Sequence, residues 1–280
     1  MNDVEKKEKF TEKHPVIGLL LVTYGSFLVA QYVIGLILVV PLSKLTGLEY
    51  TEAMPLGVVI GSFIVLIFWN IKRSPEYHFM PGKGDTLEAV KLVSPVFLYC
   101  ILLFSFYALF IPGGKFTFAA IPISDIFACL MAGISEEIIF REIAIPYMTK
   151  RWNSEKMIPI FAGISAVMFG LVHLTNGISG NITGSILQSV LSVLWGYFFS
   201  AVYLRNGNIC VLAIAHTLYD MLVFSNANGL EKVGISVLPD WIQVVYIILE
   251  SALAIYGYFL LRKSKREEIL KFWDHKWSRD

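Results

Sequence analysis

Residues 16–40 read VIGLLLVTYGSFLVAQYVIGLILVV, twenty-five positions without one charged side chain. A helix rises about 1.5 Å per residue, so this stretch can cross a hydrocarbon core of about 30 Å. In that medium the backbone N–H and C=O groups must be satisfied within the segment, which an α-helix does. Seven more apolar runs follow, at 54–71, 92–111, 121–148, 157–175, 185–204, 208–225 and 241–261. The predicted fold is all-α, a polytopic membrane bundle of about eight spans, the fourth long and the seventh short. Composition agrees: 56% of the 280 residues are hydrophobic and 16% charged, where a soluble domain carries about 25% charged. Mean hydropathy is +0.64. Pro41, the Pro112-Gly113-Gly114 turn and the stretch from Asn176-Gly177 to Gly184 punctuate the connections. No internal repeat interrupts the pattern, so 1–280 reads as a single membrane domain with tails at 1–15 and 262–280. The mixed-charge start MNDVEKKEKFTEKH and the long run after it do not fit a cleaved signal peptide. The first span is therefore expected to be retained.

Orientation follows from the connections, because cytoplasmic loops carry an excess of Lys and Arg. One set holds Lys6, Lys7, Lys9 and Lys13; Lys72, Arg73 and Lys83; Lys150, Arg151 and Lys156; Arg205; and Arg262, Lys263, Lys265, Arg266, Lys271, Lys276 and Arg279. These 18 cations stand against Lys44, Lys115 and Lys232 on the alternate connections. Both tails are thus expected in the cytoplasm, which requires an even number of spans. The lack of an organelle signal points to a bacterial plasma membrane, with the lipid bilayer as the first partner. No basic face interleaved with aromatics exists outside the termini, so nucleic acid is excluded as a partner. Cys100, Cys129 and Cys210 lie dispersed in apolar runs and read as small core hydrophobes rather than a disulfide or metal framework. The basic tail RKSKREEILKFWDHKW reads as an interfacial helix anchored by tryptophan.

Charged groups are costly in hydrocarbon and mark interior or cavity-lining positions. The fourth run carries Asp125, Glu136, Glu137, Arg141 and Glu142; the fifth His173; the seventh His216 and Asp220; the eighth Glu250. Of five histidines, only His173 and His216 fall inside apolar runs. Counted from the nearest cytoplasmic cation, Glu136, His173, His216 and Asp220 lie roughly 21, 25, 16 and 22 Å deep at the helical rise. Three helices thus bring polar groups to one level near the middle of the bilayer. Residues four apart share a helix face, so Glu137 pairs with Arg141 while Glu136 is turned away from that pair. His216 and Asp220 share a face in the same way, and Phe169 sits one turn from His173. Asp125 and Glu250 are expected to pair locally or to line a cavity.

The stretch Glu136-Glu137-Ile-Ile-Phe-Arg141 resembles the EExxxR motif of the CAAX protease and bacteriocin-processing family, also called Abi. Phe169-Gly-Leu-Val-His173 resembles its FxxxH motif, and His216-Thr-Leu-Tyr-Asp220 its HxxxN/D motif. The match covers about 120–225, and three motifs in order on membrane helices are specific where each alone is weak. The resemblance implies a glutamate-dependent intramembrane endopeptidase, similar to type II prenyl-protein peptidases. Asp220 departs from the Asn common in relatives; ionised Asp only accepts hydrogen bonds, so either burial keeps it protonated or, the preferred role, it orients His216.

Peptide hydrolysis needs an activated water and stabilisation of the tetrahedral oxyanion. Glu136 is the expected base, His173 would hold the water, His216 would face the carbonyl oxygen, and Glu137 with Arg141 would form a supporting ion pair. The expected site is therefore Glu136, Glu137, Arg141, His173, His216 and Asp220, with no cofactor required. The alternative is a zinc metallopeptidase holding its metal on Glu136, His173 and His216, although neither HExxH nor HxxEH occurs. No GxSxG or paired Cys and His suggests a covalent nucleophile. Two other classes stand beside these: a proton-coupled transporter, which would call for repeats or broken helices, and a non-catalytic binding partner. Prenylated C-terminal peptides, leader peptides and membrane-protein segments all remain open as substrates.

Overall fold

The computed structural model describes residues 10–73, 84–110, 120–179, 181–225 and 240–277. All of the described regular structure is helical. The expectations placed on 1–9, Lys83, the Pro112 turn, Lys115, Lys232 and Arg279 lie outside the described residues.

Helix α1 (Pro15–Thr46) and α2 (Tyr50–Arg73) form an antiparallel hairpin. Helix α3 (Thr86–Val93) continues as α4 (Pro95–Phe110). Its start is capped by Asp85, whose carboxylate accepts from the Glu88 amide at 2.8 Å. Helix α5 runs from Ile123–Leu130 through two π-helical turns, Met131–Glu136 and Ile138–Ile143, into Ala144–Arg151. Then come α6 (Ile158–His173), α7 (Ile182–Asn206), α8 (Ile209–Ser225), α9 (Asp240–Leu260) and α10 (Lys263–Lys276).

Among the described residues, six helices are long and apolar enough to cross a membrane, against the eight spans expected. The difference falls on α5 and α8. Helix α5 carries seven charged side chains, five of them before Lys150, and α8 has 17 residues, which rise about 26 Å, short of the hydrocarbon core. Both are the helices that bring the misplaced carboxylates and His216 into the bundle. The outer faces confirm the solvent: Leu21, Tyr32 and Ile37 of α1, Ile101 of α4, Ile186 of α7 and Ile248 of α9 are all exposed.

Helix α5 is the axis of the bundle, packed by α1, α2, α6 and α8, while α7 lies between α6 and α9. From Glu137 to Thr149 every residue of α5 is buried, as is every residue of α7 from Phe198 to Leu204. Phe140 anchors this core, its ring 6.4, 6.2 and 5.6 Å from those of Tyr24, Phe27 and Phe169. Helix α10 folds back against one end. Its Trp273 donates to the Leu204 carbonyl at 3.1 Å and Trp277 to the Thr149 hydroxyl at 3.1 Å. Both tryptophans are buried in protein, which corrects the expectation of lipid anchors: their N–H groups find partners on α7 and α5. Cys100 and Cys129 are buried as expected, whereas Cys210 is exposed on α8.

Candidate active site

The two π turns in α5 flank Glu137, with Glu136 closing the first. The apolar pattern predicted plain α-helix here. A π turn bonds i to i+5 and appears mostly as a single wide turn inside an α-helix, often at functional sites; α1 carries another at Val29–Ile34. Close packing against α8 accompanies it: a Cβ on Gly133 would fall 2.1 Å from the Thr217 hydroxyl and 2.5 Å from the Thr217 amide. Only glycine lets α5 approach the backbone beside His216.

Glu137 and Arg141 are both fully buried and meet at 3.0 Å, the pair that their spacing predicted. The pair is not closed on itself. The same Oε1 of Glu137 lies 3.0 Å from His216 Nδ1, and since a carboxylate only accepts, Nδ1 carries the proton of that contact. Arg141 also donates to the Gly196 carbonyl at 3.4 Å and stacks 4.5 Å from the centre of the Phe169 ring. Gly196 admits it: a Cβ there would meet Phe169 at 2.9 Å and Arg141 Nη2 at 3.3 Å.

The other nitrogen of His216 faces two more carboxylates, Asp220 at 3.7 Å and Glu136 at 4.0 Å. The contact of hydrogen-bond length to His216 is thus made by Glu137 across the helix interface, where the sequence had assigned the orienting role to Asp220. Aromatic rings wall the imidazole, with Phe199, Phe169 and Trp195 centred 5.7, 6.3 and 6.3 Å away. His173 abuts the Phe169 ring edge-on at 5.0 Å. Its Nε2 is buried and has no hydrogen-bond partner among the described residues.

Glu136, His173, His216 and Asp220 line one cavity of about 490 Å³. Glu137 and Arg141 stand behind the wall and do not line it. Glu250 reaches the cavity from α9, and Tyr99 of α4 donates to it at 3.1 Å. Asp125 sits beside Ser124 near the start of α5, 3.4 Å from its hydroxyl, and does not line the cavity. Glu142 is also turned away, bonded to the Tyr203 hydroxyl. Helix α6 ends at His173 and tightens into a 3₁₀ segment, Leu174–Ser179. Sequence reasoning missed Tyr99, Tyr203, Trp195 and Phe199. The signal for the tyrosines was general: a buried carboxylate needs a donor.

The zinc alternative called for three converging donors. Among the described residues, no group of three His, Cys, Asp or Glu side chains is arranged to hold a metal ion, so no step is derived through one.

Residues 118–222 match the model of the type II CAAX prenyl endopeptidase Rce1-like family. The matched segment runs from before α5 into α8 and contains all six expected site residues, while Tyr99 and Glu250 come from outside it. No curated protein and no solved structure matches the chain.

Proposed function

We propose that the protein is an intramembrane endopeptidase of CAAX type, in which Glu136 activates water to cleave a peptide bond of a membrane-associated substrate. The observation that carries this reading is the division of labour between adjacent carboxylates. Glu137 is enclosed by Arg141 and His216, whereas Glu136 faces a 490 Å³ cavity together with His173, His216 and Asp220. The Rce1-like match supports the same class.

In the proposed step, Glu136 takes a proton from a water held by His173 Nε2, and the hydroxide adds to the scissile carbonyl carbon. The charge that develops on the carbonyl oxygen is met by His216, which presents Nε2–H when its ring is the imidazolium paired with Glu137. Collapse of the tetrahedral intermediate breaks the C–N bond, and the proton on Glu136 passes to the leaving amine. Water and one peptide bond give one carboxyl and one amine terminus, with Glu136 returned as the carboxylate. Asp220, 3.7 Å from His216 Nε2, helps hold the ring across the cavity. No metal is used in this scheme.

The test compares membrane proteomes of cells expressing wild type or Glu136→Gln at equal levels. New peptide termini should depend on wild type and vanish with Glu136→Gln. Once a cleaved sequence is in hand, cleavage by purified protein should survive strong chelation. Termini unaffected by Glu136→Gln would refute the general base, and stoichiometric zinc at His173 and His216, with activity lost on its removal, would favour the metal reading.

A further inference from the structure

The cavity occupies one half of the bundle. Helices α5 to α8 are joined by the short connections 152–157, 174–181 and 207–208, so neighbours run antiparallel. Along α5 the cavity wall lies at 128–136, before the buried stretch; along α7 it lies at 184–195, again before the buried stretch; along α8 it lies at 216–224, toward the far end. All three segments point to the end of the bundle that holds the α6–α7 connection. There the wall reaches exposed side chains, Asn176 and Asn181, and Asn176 donates to Gln188 at 3.0 Å. This mouth is polar.

The opposite half is filled. Behind Glu136 the core from Glu137 to Thr149 and from Phe198 to Leu204 leaves no exposed residue. Trp273 and Trp277 of α10 close its end. That closed end gathers the basic connections. Arg205 meets Glu268 of α10 at 3.3 Å and Glu88 at 3.9 Å; Asn153 bonds Asp274 at 2.9 Å; Tyr147 bonds the Thr11 carbonyl at 3.2 Å. Segments bearing Lys13, Lys150, Arg151, Arg205 and the α10 cations therefore share one face of the molecule. By the bias of cytoplasmic loops toward Lys and Arg, that face is cytoplasmic.

We infer that the substrate reaches Glu136 from the extracytoplasmic side, as part of a polypeptide already carried across the membrane. The word substrate rests on the endopeptidase reading; the side of access does not.

The side is tested with the full-length protein in cells. Asn181→Cys and, separately, Glu155→Cys are placed in a background with Cys100, Cys129 and Cys210 replaced by Ala, and treated with a membrane-impermeant maleimide. Asn181→Cys should label in intact cells, and Glu155→Cys only after permeabilisation. Labelling of Asn181→Cys only in permeabilised cells, or in neither state, overturns the inference. Glu136-dependent termini from the proteomic comparison should map to translocated segments; termini in cytoplasmic segments also overturn it. If no Glu136-dependent terminus appears, the endopeptidase reading fails while the labelling still decides the side.

Discussion

Glu137 Oε1 accepts from Arg141 and His216 at once, each at 3.0 Å, so one oxygen links the ion pair to the cavity. The spacing of the EExxxR stretch made the Arg141 contact legible, because four residues bring two side chains to one helix face. It gave no sign of the His216 contact, which depends on how α8 is set against α5 in three dimensions. The consequence separates two neighbours. Removing one partner of a buried pair costs about 3–5 kcal/mol, so Glu137→Gln should lower both thermal stability and activity. Glu136→Gln should leave thermal stability near wild type and abolish cleavage. Activity per folded molecule is the quantity to measure. A folded but inactive Glu137→Gln beside an active Glu136→Gln would move the general base to Glu137.

At the scale of elements, what the sequence conveyed well was the six long apolar helices, since an apolar run of that length has few other solutions. The winding of α5 was hidden: the same residues satisfy an α pattern, and the π turns come with close contact to α8 at Gly133. Overpacking a tight interface costs about 1–3 kcal/mol. Gly133→Ala is expected to destabilise by that order and to lower activity in the fraction that stays folded, because the methyl group pushes on Thr217, the neighbour of His216. Thermal unfolding and turnover measured on the same detergent-solubilised sample check both parts. Wild-type turnover in folded Gly133→Ala would show that α5 and α8 can separate without harm to the site. The fate of α10 was misread for a related reason. Tryptophan beside lysine is the composition of a membrane-interface helix, and only the positions of Leu204 and Thr149 reveal that these rings bond to protein.

For the whole molecule, the matched segment 118–222 is packed against helices that lie outside it. Phe140 is covered by Tyr24 and Phe27 of α1, Thr149 is bonded by Trp277 of α10, and the cavity takes Glu250 from α9. An excised 118–222 fragment would open these buried contacts, and burying a large side chain is worth about 1.5–3 kcal/mol each. The fragment should therefore aggregate on size-exclusion chromatography in a detergent that keeps the full chain monodisperse. A monodisperse, thermally cooperative fragment would show that the flanking helices add little.

The ring stack beside His216 also gives the cavity an optical reporter. Of six tryptophans, Trp195 is the one that lines the cavity. It stacks on Phe199 at 4.8 Å and meets the tilted ring of Tyr219 at 4.5 Å. A protein with its other five tryptophans changed to Phe would emit from this ring alone. Peptide filling the cavity would displace water from the indole and shift that emission to shorter wavelength, so occupancy is readable in an inactive Glu136→Gln background where no product ever forms.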